Sequence, residues 1–141
     1  VQGANKVTLK YSEFTTVIWK IDDEQYSRFI VDGYSDEDEA VAHNFVTRDG
    51  YTDILKTQTV VVIQGPLYND EATTLPSVLT VGVGPVTIFN NGNYIQGTWR
   101  RNDIADSFVF IDENQNKIEV PPSKQWIHFL PLNGEINWTD N

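Results

Sequence analysis

Short apolar and polar patterns of the kind that strands show follow one another along most of the chain. Residues 6–11 and 125–130 alternate with a period of two, which places successive side chains on opposite faces of a strand. Residues 15–21 are rich in β-branched residues, and a polar reversal separates them from the strand pattern of residues 26–31, so the two predict a hairpin. Residues 57–64, TQTVVVIQ, form a continuous β-branched run, which predicts a strand buried on both faces.

The stretch 79–101, LTVGVGPVTIFNNGNYIQGTWRR, predicts a central hairpin. Its Asn-Gly step lies between two apolar runs, and both residue types tolerate the positive φ that tight hairpin turns need. Gly82, Gly84 and Gly97 lie inside the strand pattern, where glycine indicates a bulge or a backbone that another element approaches closely.

The remaining segments complete a fold made mainly of hairpins. Ser35 and the acids that follow it predict a short helix or a structured loop over residues 35–44. Residues 67–77 show no periodicity and predict the longest loop, whereas residues 108–120 predict another hairpin. The tail from Asn133 is expected to be peripheral, with Trp138 docking it to the body. We therefore expect one domain over residues 1–141, all-β or β-rich with one short helix, as an antiparallel sandwich or a partly open barrel.

Composition excludes several classes of function. The 141 residues carry a net charge of −10, which argues against binding to nucleic acid or to anionic lipid. The absence of cysteine excludes disulfides, thiolate metal sites and cysteine nucleophiles. No apolar run approaches the roughly 20 residues that span a bilayer. Because the sequence starts at Val1 and contains no methionine, we expect it to be a piece of a longer protein.

Two acidic stretches are candidate metal sites. Asp36, Asp38 and His43 could supply ligands or an acid–base pair, although consecutive acids more often begin a helix. The run Asp112-x-Asn114-x-Asn116 copies the opening of a calcium loop but lacks the glycine and the glutamate that such a loop needs. A hairpin turn explains this second run better. We therefore expect no cofactor, with calcium as the alternative.

Aromatic and arginine side chains are the candidate binding groups. Aromatic residues in or near loops can stack on sugars or peptide side chains, and arginine binds carboxylates bidentately, although its ordinary role is to pair with acids of its own chain. Hydrolytic catalysis is not expected, since His128 lies within a strand pattern and suits a position on a sheet face. The candidate ligand-binding residues are Tyr34, Tyr51, Tyr68, Arg28, Arg100 and Trp138, while Trp19, Trp99 and Trp126 are expected in the core.

The sequence contains a glycine-x-glycine before an apolar strand, a strand that ends in Gly-Thr-Trp and a basic residue, an Asp-x-Asx turn and a closing Trp-Ile. The residues concerned are Gly82, Gly84, Gly97, Thr98, Trp99, Arg100, Asp112, Asn114, Trp126 and Ile127. These motifs resemble the C-terminal domain of the YerB-like family of bacterial lipoproteins, with a looser match at Tyr11, Ser12, Trp19, Tyr26 and Arg28. The sequence departs from the family at residues 33–36, where members often have proline-histidine-x-aspartate, and at residues 122–124.

The resemblance implies a secreted, membrane-tethered parent with a further domain upstream, and it implies no activity. Our first hypothesis is therefore a non-enzymatic, extracytoplasmic binding or assembly domain of the cell envelope. Its expected partner is the upstream domain or another envelope protein, and membrane contact is expected only through a lipid anchor outside this chain. Such a domain should expose an apolar patch where the partner packs. The alternative is a module that binds or processes cell-wall glycan.

Overall fold

The computed structural model describes residues 3–73 and 75–141, and nearly all the regular secondary structure in this part of the chain is β-strand. The only helical element described is a single 3₁₀ turn, Glu37–Glu39. None of the described helical segments has the length and hydropathy needed to cross a membrane. In chain order the strands are β1 (Lys6–Ser12), β2 (Thr15–Asp22), β3 (Gln25–Asp32), β4 (Val41–Ala42), β5 (Asn44–Val46), β6 (Thr52–Ile54), β7 (Lys56–Thr57), β8 (Thr59–Gly65), β9 (Leu67–Asn69), β10 (Pro76–Val78), β11 (Gly82–Asn90), β12 (Asn93–Arg101), β13 (Val109–Ile111), β14 (Gln125–Pro131) and β15 (Glu135–Thr139).

Two large sheets form the body of the domain. The first sheet has the order β15-β1-β2-β3-β4, with β7 also paired to β3, and all its pairs are antiparallel. The second sheet has the order β13-β12-β11-β8-β14, and it is antiparallel except where β14 runs parallel to β8. Neither sheet closes on itself. The expected all-β class, an antiparallel sandwich or a partly open barrel, is confirmed: no described sheet closes into a barrel, and the structure adds one parallel pair.

The second sheet is covered on both faces. Between the sheets, Val7, Leu9 and Trp19 of the first pack against Val60, Val62 and Phe89 of the second. On the far face, a second core of Val61, Ile63, Val86, Ile88 and Trp99 lies beneath Phe108, Phe110, Ile118 and Val120 of the segment after β12. As a result, all residues from Thr59 to Ile63 are fully buried, as the β-branched run predicts.

The central hairpin joins β11 to β12 through Asn91 and Gly92, both in the left-handed region, with φ of 48° and 73°. Such a two-residue turn matches the twist of the strands, which confirms the prediction from the Asn-Gly step. Gly84 and Gly97 are sites of close approach. A Cβ at Gly84 would meet the Trp99 indole, whose Nε1 donates to the Gln64 carbonyl at 2.7 Å.

Tyr26 ties this hairpin to the first sheet. Its buried hydroxyl donates to the Ala4 carbonyl at 2.8 Å and accepts from the Gly92 amide at 3.1 Å. Burial raises the pKa of Tyr26 to about 12, with the Gly92 hydrogen bond acting in the opposite direction. The hydroxyl therefore stays protonated and satisfies two backbone groups.

Four local predictions need correction. Residues 67–77 contain the short β9–β10 hairpin, and residues 117–120 make only a single bridge, Ile111↔Lys117. The tail is not merely peripheral, because β15 pairs with β1. Over residues 35–44 the 3₁₀ turn begins after Asp36, not Ser35, and gives way to β4. Each difference depends on pairing with a distant segment or on a local competition among neighbouring polar residues.

Candidate functional site

A buried histidine lies between the two sheets. His128 projects from β14 towards Trp19, whose Nε1 donates to His128 Nε2 at 2.8 Å, and its Nδ1 lies 2.5 Å from the Tyr11 hydroxyl. An indole N–H can only donate, so Nε2 is an acceptor and a neutral ring carries its proton on Nδ1. Burial, together with the nearby positive charge of Arg28, lowers the pKa of His128 to about 3. This ring is a neutral structural group, consistent with the sheet-face position that the strand pattern predicts.

Tyr11 shares this environment. Burial raises the pKa of its hydroxyl to about 12, and the positive charge of Arg28 opposes that increase. The hydroxyl therefore remains neutral beside His128. Tyr11, His128 and Trp19 therefore form a hydrogen-bonded chain of neutral rings between the two sheets.

Arg28 lies on the inner face of β3, opposite Trp19 in the strand register. Its guanidinium carbon is 4.9 Å from the centre of the Trp126 ring and 5.9 Å from that of Trp19. Its Nη1 lies 2.5 Å from His43 Nδ1, and the His43 amide donates to the Arg28 carbonyl at 2.9 Å. We call Arg28, His43, Trp19 and Trp126 the Arg28 cluster.

The Arg28 guanidinium is incompletely satisfied. No ion pair among the described residues includes it, although the chain carries 20 acidic residues. Its Nε is buried and has no hydrogen-bond partner. Burial lowers the pKa of Arg28, with Tyr11 acting in the opposite direction. A cation held between aromatic rings with an unused donor is suited to a carboxylate ligand.

β14 forms one edge of the second sheet, beside the Arg28 cluster. It pairs only with β8, and in the described part of the chain no hydrogen bond outside that ladder uses the backbone of residues 125–130. Its sequence, QWIHFLP, contains no Asp, Glu, Lys or Arg. Ile127 and Phe129 are exposed by 45% and 40%. We call the side of β14 that faces away from β8 the β14 edge.

The other sheet edges are better protected. β15 has five residues and starts with an acid, while β4 and β7 have two residues each. β13 has three residues, and its far side is covered by the Ile118 amide, which donates to the Phe110 carbonyl at 2.8 Å. Short, charged or covered edges resist pairing with other chains. β14, in contrast, has seven residues, no charged side chain and, over residues 125–130, no described backbone hydrogen bond on its far side.

The candidate aromatic residues are dispersed. Tyr34 is 83% exposed and packs edge-on against Phe14, with ring centres 5.0 Å apart. Tyr51 and Tyr68 are also exposed, but they belong to other segments, and no described ring contact joins any two of the three tyrosines. Trp138 is half-buried and packs against the core, so it docks β15 to the body of the domain as expected. It is therefore less available to a ligand than an aromatic residue in a loop.

Arg100 and Arg28 differ in their surroundings. The side chain of Arg100 is exposed on β12, whereas Arg28 is enclosed by aromatic rings. The structure therefore singles out Arg28 from the two candidate cations.

A groove of about 630 Å³ lies at the end of the β1–β2 hairpin. Tyr11, Tyr34, Asp36, Glu37, Leu67 and Glu135 are among its lining residues. The groove is half open, and its rim is rich in acidic side chains. It contains Tyr34 from the candidate aromatic residues and Asp36 from the candidate metal ligands.

The candidate metal ligands do not converge. Within residues 3–73 and 75–141, no three His, Asp or Glu side chains are grouped to hold an ion. Asp36 and Asp38 are exposed around the 3₁₀ turn, whereas His43 contacts Arg28. In the second acidic stretch, Asp112 Oδ1 accepts from the amides of Asn114 and Asn116, each at 2.8 Å. The Asp112 carboxylate thus closes its own turn.

Sequence reasoning did not identify the Arg28 cluster as a unit. Arg28 was a candidate, and Trp126 was expected in the core, but nothing local links residues about a hundred positions apart. The resemblance included both Tyr11 and Arg28 in its looser match, which was the available signal.

Comparisons with known proteins agree with the resemblance in the motifs. The comparison with curated proteins gives no match. The crystal structure of YerB protein from Bacillus subtilis is similar in fold, with a TM-score of 0.66 and 16% sequence identity. The match covers 94% of this chain but only 43% of that one, so this chain spans less than half the length of its structural neighbour. A family model described as "Protein of unknown function (DUF3048) C-terminal domain" matches residues 6–127. The chain therefore belongs to the family of DUF3048 C-terminal domains.

Proposed function

We propose that this chain is a non-enzymatic binding or assembly domain, and that it takes up an extended protein segment as an additional strand at the β14 edge. The observation that carries the proposal is a seven-residue, uncharged edge strand with two exposed apolar side chains. An unpaired strand edge presents a row of backbone donors and acceptors to another chain. Strand addition uses those groups for affinity and the alternating side chains for specificity.

The proposal extends to the location of the parent protein. The motif resemblance to YerB-like lipoproteins supports an extracytoplasmic, membrane-anchored parent at the cell envelope. The family description names a C-terminal domain, and more than half of the YerB chain lies outside the match, which supports a further domain in the parent. The partner at the β14 edge would then be another envelope protein or the remainder of the parent.

Selection from a displayed library of random ten-residue peptides tests the binding role. The folded domain should enrich peptides with alternating β-branched and polar residues. Ile127→Lys combined with Phe129→Lys should abolish the enrichment, because charges on an edge strand oppose pairing. Val46→Lys combined with Ile104→Lys is the matched control, since both side chains are exposed on other segments and should leave selection unchanged. If the double variant enriches the same peptides as the wild type, strand addition at β14 is refuted.

The groove supports a second candidate, a site for cell-wall glycan. Tyr34 exposes an aromatic face there, and Asp36 supplies a carboxylate that can accept hydrogen bonds from sugar hydroxyls. A ligand at a hundred times its dissociation constant stabilises a protein by about 2.7 kcal/mol. Soluble cell-wall fragments should therefore raise the melting temperature of the wild type but not of Tyr34→Ala. An equal shift in both proteins would place the glycan elsewhere.

A further inference from the structure

We infer that Arg28 binds a carboxylate, and that the segment added at the β14 edge carries an Asp or Glu side chain that pairs with it. The inference rests on the proposed strand addition and names the chemistry of the partner: an extended acidic segment of another protein. Three observations carry it: the unused hydrogen-bonding capacity of Arg28, its fixed position and its place beside β14.

The first observation is that the guanidinium lacks an anionic partner. The described ion pairs use Lys6, Lys56 and Lys117 and leave out Arg28. Its buried Nε is also without a hydrogen-bond acceptor. An unpaired, partly buried cation costs free energy, which a carboxylate bound to the guanidinium would offset.

The second observation is that the guanidinium is already held in place. Trp126 covers one side at 4.9 Å, and His43 Nδ1 accepts from Nη1. A side chain fixed before binding loses little rotational freedom when the ligand arrives. Arginine is also better suited than lysine to this position, because its planar group stacks on an aromatic ring while donating to a carboxylate.

The third observation is geometric. Trp126 belongs to β14, and its side chain lies on the inner face with the Arg28 guanidinium against it. A strand added at the β14 edge would lie about 4.8 Å away, with the side chain opposite Trp126 on the same face. In the proposed complex this side chain pairs with Arg28. Lys124, which directly precedes β14, is exposed and joins no described ion pair, so it adds positive charge to the same edge.

The charge pattern selects this occupant over a second copy of the chain. Two copies would each bring a net charge of −10, and their repulsion opposes self-association. Arg28 and Lys124 nevertheless make this edge locally suitable for an acid. An extended segment with one or two carboxylates at the right register avoids the repulsion between two copies and supplies an acid to this edge.

The experiment repeats the peptide selection with three proteins: the wild type, Arg28→Gln and the double variant Ile127→Lys/Phe129→Lys. The wild type should enrich strand-like peptides with Asp or Glu at one fixed position. Arg28→Gln should enrich the same alternating pattern without the acid, and the double variant should enrich neither. For the best wild-type peptide, replacing its acid by the corresponding amide should weaken binding at least about tenfold, since hydrogen bonds to charged groups are the stronger class.

The outcomes separate the two proposals. If the wild type enriches strand-like peptides without a preferred acid, or if Arg28→Gln keeps the preference for an acid, the carboxylate site is refuted. Strand addition is not refuted by either result. A wild type that enriches no strand-like peptide would overturn both. If Arg28→Gln does not fold, the acid-to-amide peptide pair tests the wild type directly, and equal affinities for the two peptides would refute the inference. Arg28→Lys provides a second variant. Its preference for an acid should be partly lost, because lysine lacks the planar guanidinium that binds a carboxylate through two donors and stacks on an aromatic ring.

Discussion

Acid should destabilise this domain well before its carboxylates are protonated, because His128 cannot readily take up a proton in the core. The pKa of an unfolded histidine is about 6.5, whereas burial and the charge of Arg28 lower that of His128 to about 3. Between these two values the unfolded chain binds more protons than the folded one, so stability decreases as the pH falls. The neutral His128 ring makes its full contribution to the free energy of unfolding above about pH 6.5. This contribution is lost progressively as the pH falls towards about 3.

The magnitude follows from the difference between the two pKa values. Each pH unit below 6.5 costs about 1.4 kcal/mol, so lowering the pH from 7 to 5 should cost about 2 kcal/mol. This is a large share of the roughly 5–15 kcal/mol that stabilises a typical domain. The main structural cause is burial of the ring, followed by the charge of Arg28. The Trp19 indole also donates to His128 Nε2, the atom that a second proton would occupy.

Urea denaturation at pH 7, 6 and 5 measures this effect in a range where Asp and Glu remain mostly ionised. His128→Gln keeps an acceptor for Trp19 but cannot titrate, so its loss of stability between pH 7 and 5 should be about 2 kcal/mol smaller than that of the wild type. Equal pH dependence in the wild type and His128→Gln would refute the assignment of a buried neutral ring.

Three further substitutions test the packing. Tyr26→Phe should cost about 2 kcal/mol, because two backbone groups lose their hydroxyl partner; an unchanged urea midpoint would contradict that role. Gly97→Ala should cost about 1–3 kcal/mol in the same assay, since its Cβ would collide with the Ile111 carbonyl, and a neutral effect would show that the sheet yields there. Asp112→Ala should lower stability by about 1 kcal/mol equally with calcium and with a chelator, whereas a calcium-dependent loss would revive the metal-loop interpretation.

Local sequence signals predicted the elements whose stability is decided locally. The β-branched run of β8 reports burial on both faces, and the Asn91-Gly92 step determines the turn between β11 and β12. In both cases neighbouring residues carry the whole signal. The all-β class and the two-sheet packing follow from such elements.

Strand order could not be predicted in the same way. The alternation in β14 indicates a strand but not its neighbour, and a parallel partner 66 positions earlier leaves no local mark. The pairing of β15 with β1 joins the two ends of the described chain. Both pairings depend on where the faces of the two sheets meet, which is a property of the whole fold.

The Arg28 cluster, like the strand order, could not be predicted from local sequence. The sequence makes Arg28 a candidate ligand-binding residue, but its significance depends on Trp126 and His43 around it and on the absence of an ion pair in the described residues. The charge count alone favoured pairing with one of the many acids. Only the assembled sheets show that this guanidinium is enclosed by aromatic rings beside an open strand edge.

Amide hydrogen exchange across residues 125–130 tests the central claim most directly, measured for the domain alone and with the best selected peptide bound. In a strand that is paired on one side, alternate amides point away from the partner. These should exchange quickly in the free domain and become protected in the complex, while the amides already bonded to β8 change little. Protection that arises elsewhere on the surface, with residues 125–130 unchanged, would contradict strand addition at β14.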